Sequence, residues 1–125
     1  RGIQDHIPLI VGGNGRKKPA GLAVKHADEL NFVFLEPDDV AERMVEVRHK
    51  CEDAGRDPDS LRFSIYTRDD PFTEAGPERV ALLEQFAATG LDRIVCFPTK
   101  FSPTLETQER FAEDCVAAGL SLDPA

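Results

Sequence analysis

The chain has 125 residues, of which 41% are hydrophobic and 30% are charged, and its formal net charge is −8. This size and composition are typical of one globular domain, residues 1–125. The acidic balance argues against a nucleic-acid-binding or membrane-binding surface, because phosphate groups are bound by clustered Lys and Arg. The basic run Arg16-Lys17-Lys18 is large enough for only one anionic group.

Three cysteines, Cys51, Cys96 and Cys115, lie far apart and form no C-x-x-C pair, so the sequence gives no zinc or redox motif. Free buried thiols are typical of a reducing compartment. No apolar run approaches the roughly 18 residues of a membrane span, and the opening RGIQDHIP lacks the apolar region of a signal peptide. We therefore expect a cytoplasmic protein without a membrane span.

Two short apolar runs in the first half of the chain are each followed by a helical pattern. The first run is Pro8–Gly12, and its helix is predicted from about Pro19 to Asp28. The second run is Leu30–Phe34, after which Asp38 or Asp39 is predicted to cap a helix. Gly55 is expected to end that helix. Its buried stripe is predicted from four apolar residues: Val40, Met44, Val47 and Cys51.

The second half repeats this pattern twice. A strand with alternating apolar residues is predicted at Leu61–Thr67, followed by a helix that starts at Pro77 and ends at Gly90. A fourth strand, Arg93–Phe97, is almost wholly apolar, which predicts that both of its faces are covered. The last helix is predicted from about Thr104 to Ala118, with Gly119 at its end and five apolar residues inward: Leu105, Phe111, Ala112, Cys115 and Val116.

Four strand–helix repeats predict an α/β fold with a parallel sheet. Two architectures fit this pattern: an open doubly wound sheet, or part of a (β/α)8 barrel. A complete barrel needs about 250 residues, so the chain would supply half of one.

The loop after the first strand is the strongest candidate for a binding site. In parallel α/β folds the functional groups lie on the loops that follow the strands. The glycines of Gly12-Gly13-Asn14-Gly15 let backbone N–H groups converge on an anion, and Arg16 can bind two of its oxygens. The next helix adds its positive end, and neither Lys18 nor Pro19 can cap it, which leaves room for a phosphate oxygen.

The spacing of this loop matches neither of two standard phosphate motifs. No G-x-x-x-x-G-K-[ST] string occurs, and Gly13-Asn14-Gly15 lacks the third glycine of the G-x-G-x-x-G fingerprint. The residues alone therefore leave two interpretations open: a phosphate-binding loop, or a structural turn with solvated cations.

A resemblance to a known family favours the first interpretation. Residues 7–32, IPLIVGGNGRKKPAGLAVKHADELNF, resemble the central signature of the luciferase-like monooxygenase superfamily, especially its deazaflavin (coenzyme F-420)-dependent branch. Residues 52–58, EDAGRDP, and 90–95, GLDRIV, resemble two later motifs of that family. The chain departs from the family at Glu29-Leu30, where members often carry an aromatic residue.

The resemblance implies the C-terminal half of a (β/α)8 TIM barrel. It implies that the cofactor, coenzyme F-420 or FMN, is held through its phosphate by Gly12, Gly13 and Asn14, with Gly15 and Arg16 beside them. It also implies that Asn31, Phe32 and Val33 line the same side. The family's catalytic residues lie mainly in the N-terminal half, so catalytic residues of this chain stay unknown.

The other polar candidates are expected to have structural rather than catalytic roles. His6 precedes a strand on the side away from the functional loops, His26 is expected to pack or cap, and His49 to lie on a solvated helix face. Asp69-Asp70 could shape a substrate pocket with Tyr66 and Arg68, but a turn before Pro71 is the simpler interpretation. No metal-ligand cluster or nucleophile–base pair is found in the sequence.

Three functional hypotheses follow. The first is a flavin- or deazaflavin-dependent oxidoreductase or monooxygenase acting on a small organic substrate, in which this half alone would bind cofactor phosphate without turnover. It would work as a homodimer or with a missing N-terminal half. The second is a non-catalytic half-barrel binding or scaffold domain that dimerises, because open sheet edges are unfavourable in a lone monomer. The third, a sugar-phosphate-processing barrel, would need an acid–base pair that the sequence lacks.

Overall fold

The computed structural model describes residues 4–14, 16–67, 74–97 and 103–122. Within these ranges four strands alternate with four α-helices, and a 3-10 turn, Pro58–Ser60, precedes the third strand. In chain order the elements are β1 (Ile10–Gly12), α1 (Lys18–His26), β2 (Glu29–Val33), α2 (Pro37–Asp53), β3 (Arg62–Thr67), α3 (Pro77–Ala88), β4 (Arg93–Cys96) and α4 (Leu105–Ala117).

The strands form one parallel sheet in the order β1-β2-β3-β4. Each strand lies beside the one before it, and a helix follows every strand. This monotonic order is that of half a (β/α)8 barrel, whereas the strand order of a doubly wound sheet reverses. The prediction of a half TIM barrel with four parallel βα units is confirmed.

One face of the sheet packs against helices and forms the core. Phe32 of β2 and Phe63 of β3 are fully buried there, with parallel rings whose centroids are 5.8 Å apart. Burial of side chains of this size contributes about 1.5–3 kcal/mol each. The predicted stripe of α2 is confirmed, since all four of its residues are buried: Val40, Met44, Val47 and Cys51.

The helix termini agree with the sequence only in part. Gly55, Gly90 and Gly119 follow α2, α3 and α4 with positive φ, as expected for residues that end helices. The predicted cap of α2 is wrong. Glu36 holds the cap position and Pro37 opens the helix, so Asp38 and Asp39 lie in the first turn, where their charge suits the helix dipole.

Two predictions of burial near the C-terminal end are also wrong. β4 is covered on one face only: Ile94 and Cys96 pack against the core, whereas Arg93 and Val95 on the opposite face are exposed. On α4, Leu105 and Val116 are exposed, while Cys115 is buried and Phe111 packs against the core. A prediction from apolar character alone therefore gives too many buried side chains in β4 and α4.

The cysteines are free, as predicted, and Cys51 and Cys115 are buried. Burial raises the pKa of the Cys96 thiol to about 12, which keeps it protonated and unreactive at neutral pH. No described helix has the length and apolar character needed to cross a membrane.

Candidate functional site

The loop between β1 and α1 lies at the carboxyl edge of the sheet, as the sequence predicts. Gly13 has a φ of 147°, and its N–H donates to the carbonyl of Asn31 on β2 at 2.9 Å. A Cβ at Gly13 would lie 2.8 Å from the ring of Pro19. Glycine is required here by both backbone conformation and space, and its N–H already has an acceptor.

Asn14 fixes the same loop through its side chain. Its Oδ1 accepts a hydrogen bond from the N–H of Val33 at 3.0 Å, at the end of β2. Together with the Gly13–Asn31 bond, this contact ties two consecutive loop residues to β2. The Gly13 N–H is therefore occupied, whereas the Asn14 contact uses only an acceptor oxygen and does not consume the N–H donors of Asn14.

The start of α1 supplies such donors. Lys17 holds the cap position with a φ of 50° and makes no side-chain cap hydrogen bond, and the first turn contains Pro19 but no acidic residue. Arg16, Lys17 and Lys18 are exposed. A left-handed conformation costs a non-glycine residue about 1–2 kcal/mol, so the fold holds Lys17 in an unusual geometry. This helix end combines a start without a side-chain cap, the positive end of the helix dipole and cationic side chains, although Pro19 contributes no N–H to it.

The three site residues predicted on β2 point to different environments. The side chain of Phe32 is buried in the helix-covered core, because successive side chains of a strand point to opposite faces. Only the backbone of Phe32 can contribute to the loop edge. Asn31 and Val33 lie on the opposite face, with Asn31 half-buried. Gly12 pairs with Asn31 in the register, and a Cβ added to Gly12 would meet nothing within 4 Å.

A polar network on this second face was not predicted. We call this face, opposite to the helices, the inner face. Asn31 Nδ2 donates to Ser64 Oγ at 2.7 Å, and the Ser64 hydroxyl donates to Glu29. Arg93 then donates through one nitrogen to both carboxylate oxygens of Glu29, at 2.7 and 2.8 Å. The network connects β2, β3 and β4.

The sequence contained signals for this network that only the register combines. Asn31 pairs with Ser64, and Ser64 pairs with Arg93, so polar residues on three strands share one face. Glu29 was noted in the sequence as a departure from an aromatic position, and it is the centre of the network. Its side chain is 8% exposed, against 52% for Arg93.

Aromatic side chains lie beside the loop at the same edge of the sheet. Phe34 directly follows β2, with a φ of 54°, and its N–H donates to the carbonyl of Tyr66 at 3.1 Å. The two rings are tilted at a centroid distance of 5.7 Å, and Phe34 is 46% exposed. A positive φ at a bulky residue is rare and costs of order 1–3 kcal/mol, which identifies this edge as a constrained position.

The remaining candidates form no second site. His6 contacts Asp28 at 3.0 Å, below β1, and the N–H of Leu9 also donates to Asp28. The hydrogen bonds from Leu9 and His6 lower the pKa of Asp28. His26, predicted to pack or cap, is exposed in the last turn of α1, so it does not pack into the core, and its position at the helix C-terminus agrees with the capping alternative.

His49 lies on the solvated face of α2 beside Glu52, as predicted. Arg68, Asp69 and Asp70 lie outside the described residues. Among the described residues, no group of His, Cys, Asp and Glu side chains is arranged to hold a metal ion.

Among the comparisons with known proteins, only the comparison of structures found a similarity. No family model matches the sequence, and no curated protein matches it. Solved structures do match. An F420-dependent secondary alcohol dehydrogenase in complex with an F420-acetone adduct aligns with a TM-score of 0.67 at 15% identity, covering 91% of this chain and 49% of its own.

A second solved structure, DmoA from Hyphomicrobium sulfonivorans, aligns with a TM-score of 0.62 at 11% identity, covering 89% of this chain and 42% of its own. The chain thus spans about half the length of the structures that it matches. At these identities the likeness concerns the fold alone: the chain has the architecture of half a (β/α)8 barrel.

Proposed function

We propose that this chain is the phosphate-binding half of a flavin- or deazaflavin-dependent oxidoreductase or monooxygenase of the luciferase-like type. The observation that carries the proposal is the uncapped, cationic start of α1, positioned by the Gly13–Asn31 and Asn14–Val33 hydrogen bonds at the carboxyl edge of the sheet. A phosphate oxygen would accept from the free N–H groups of the first turn. Likeness to an F420-dependent barrel supports this choice of cofactor.

The described residues fit the anionic part of coenzyme F-420 or FMN. Arg16, Lys17 and Lys18 are exposed around the helix start, so their charges remain available to a phosphate. Gly12 and Gly15 complete the loop in the sequence, and Gly12 leaves open space on the inner face. When bound, the cofactor supplies hydride or oxygen chemistry, and this half contributes binding and charge neutralisation.

The aromatic pair Phe34 and Tyr66 extends the same proposal toward the flat part of the cofactor. Both rings lie at the edge where the loop is fastened, and Val33 connects them to Asn14. A small organic substrate and the catalytic groups would be contributed by the other half of the barrel. We also propose that residues 1–125 form one half-barrel domain that works in a compartment where its free thiols stay reduced, such as the cytoplasm.

Titration of the purified chain with coenzyme F-420 and with FMN, followed by fluorescence, tests the proposal. We expect the double variant R16E/K18E to weaken binding of the preferred cofactor at least tenfold, about 1.4 kcal/mol, because it removes two cations beside the phosphate. The matched control is K25E/K50E, which changes charges of exposed residues on α1 and α2 away from the loop. Equal losses in both variants, or no binding of either cofactor, would contradict the proposal.

A second candidate function is a non-catalytic half-barrel scaffold. It is favoured by the inner face, where Ile10 and Val95 are 55% and 38% exposed although both are apolar. The two candidates are separated by the same titration, since a scaffold would dimerise without affinity for either cofactor.

A further inference from the structure

The inner face carries an ion pair in a position that barrels usually fill with apolar side chains. In a (β/α)8 barrel, one interior layer is built from four side chains that come from alternate strands. Glu29 lies on β2 and Arg93 on β4, and their contact passes across Ser64 of β3. These two residues therefore form half of one layer, and two positions of that layer are not filled by this half-barrel.

The charge of this half-layer is complementary to a copy of itself. Glu29 is almost buried, whereas about half of the Arg93 side chain is exposed on the open side. Both hydrogen bonds to Glu29 come from the same guanidinium nitrogen, so they do not engage the other N–H donors of Arg93. A second Glu29–Arg93 pair would complete the layer as an acid–base–acid–base ring without net charge.

The two edges of the sheet are complementary as well. At the β1 edge Leu9 and Ile10 are exposed, and at the β4 edge Val95 and Phe97 are exposed. A hollow of about 820 Å³ adjoins β4, and its lining mixes polar side chains such as Glu29 and Arg93 with apolar ones such as Leu83 and Phe111. Joined head to tail, two copies would bring the exposed apolar residues of the β1 edge beside those of the β4 edge.

The stagger of the strands predicts how the edges would meet. The β3 partners of Glu29 and Arg93 are Arg62 and Ser64, so the side-chain layer advances two residues over two strands. Carried across a new β4–β1 junction, the same stagger sets Ile10 of one copy opposite Val95 of the other. Two exposed apolar side chains on the same face would then be buried together.

We propose that two copies of this chain join head to tail, β1 of each pairing with β4 of the other, and close an eight-stranded barrel around a ring of two Glu29–Arg93 pairs. The proposal rests on the fold and the inner face, and it does not depend on cofactor binding.

Sedimentation velocity over a range of protein concentrations tests the dimer directly. We expect a species of twice the 13.8 kDa chain mass, without larger species, because a closed ring leaves no free edge. I10K should raise the dimer dissociation constant at least about a hundredfold, since it buries an unpaired charge at the junction. Because Ile10 is exposed in the single chain, the far-UV circular dichroism spectrum of I10K should equal that of the parent chain.

The matched control is L22K, which makes the same change at an equally exposed residue on the outer side of α1 and should leave the dimer intact. A charge pair adds a second control: R93E gathers four acids in the ring and should give monomers, while E29R/R93E restores the alternation and the dimer. A monomer at all concentrations, a mass that keeps growing with concentration, or equal effects of I10K and L22K would overturn the proposal.

Discussion

The two faces of the sheet differ in how far this chain completes them. On the helix-covered face, Leu30, Phe32, Phe63 and Ile65 are fully buried. On the inner face, apolar residues at both edges are exposed and the centre is a network of charged and hydroxyl groups. Since the same four strands carry both faces, the chain builds a closed core on one face and leaves the other partly exposed.

Replacing a core residue should show the largest effect on the completed face. We expect F32A to lower the free energy of unfolding by about 3–5 kcal/mol, because it removes a ring that stacks on Phe63 and leaves a cavity. Urea unfolding followed by circular dichroism measures the change. L22A, at an exposed apolar residue of α1, is the control and should stay within about 0.5 kcal/mol. A comparable loss in L22A would mean that the helix-covered face is not the core.

The sequence predicts the completed face better than the inner one, for a physical reason. Periodicity reports which side of a helix or strand is apolar, so the stripe Val40–Cys51 and the four βα units could be found from it. The contacts of Glu29 with Ser64 and Arg93 depend on strand register, because these partners lie 35 and 64 positions away in the sequence. No local pattern contains that information.

The glycine loop shows the same division between what a pattern predicts and what it omits. The sequence located the loop and the uncapped helix start correctly, because both depend on neighbouring residues. It did not predict that the Gly13 N–H and the Asn14 Oδ1 are bonded to β2, since those partners lie 18 and 19 residues away. Assigning a phosphate to Gly12, Gly13, Asn14, Gly15 and Arg16 as one group therefore remains a prediction.

The adjacent residues Gly12 and Gly13 allow the open inner face to be compared with the packed loop. We expect G13A to lower the free energy of unfolding by about 1–3 kcal/mol, because a Cβ would contact Pro19 and the positive φ is unfavourable for alanine. G12A should be nearly neutral, since its Cβ would project into open space. Thermal unfolding of both variants gives the comparison. A G12A variant as unstable as G13A would show that the inner face beside β1 is already filled.

The Asp114–Arg79 ion pair between α3 and α4 extends the comparison to the helix layer, where we expect the smallest change in the free energy of unfolding. Asp114 of α4 accepts from Arg79 Nε of α3 at 2.6 Å and from the N–H of Gly76, and Arg79 lies over the ring of Phe111. Burial alone would raise the pKa of Asp114, but the hydrogen bonds from Arg79 and Gly76 outweigh it and lower the pKa. The pair therefore stabilises the fold above the ordinary pKa of Asp and loses this contribution as pH falls through the lowered value.

At neutral pH, D114N should lower the free energy of unfolding by about 1 kcal/mol, because the amide keeps a hydrogen-bond acceptor but loses the charge. The difference from the parent chain should shrink in acid, where Asp114 itself becomes protonated, and urea unfolding at both pH values measures it. The control is D59N, whose ion pair with Arg48 lies in solvent and contributes at most about 0.5 kcal/mol. A D114N difference that is unchanged in acid would assign the effect to packing between α3 and α4, and the ion pair would then contribute nothing to closing the helix layer.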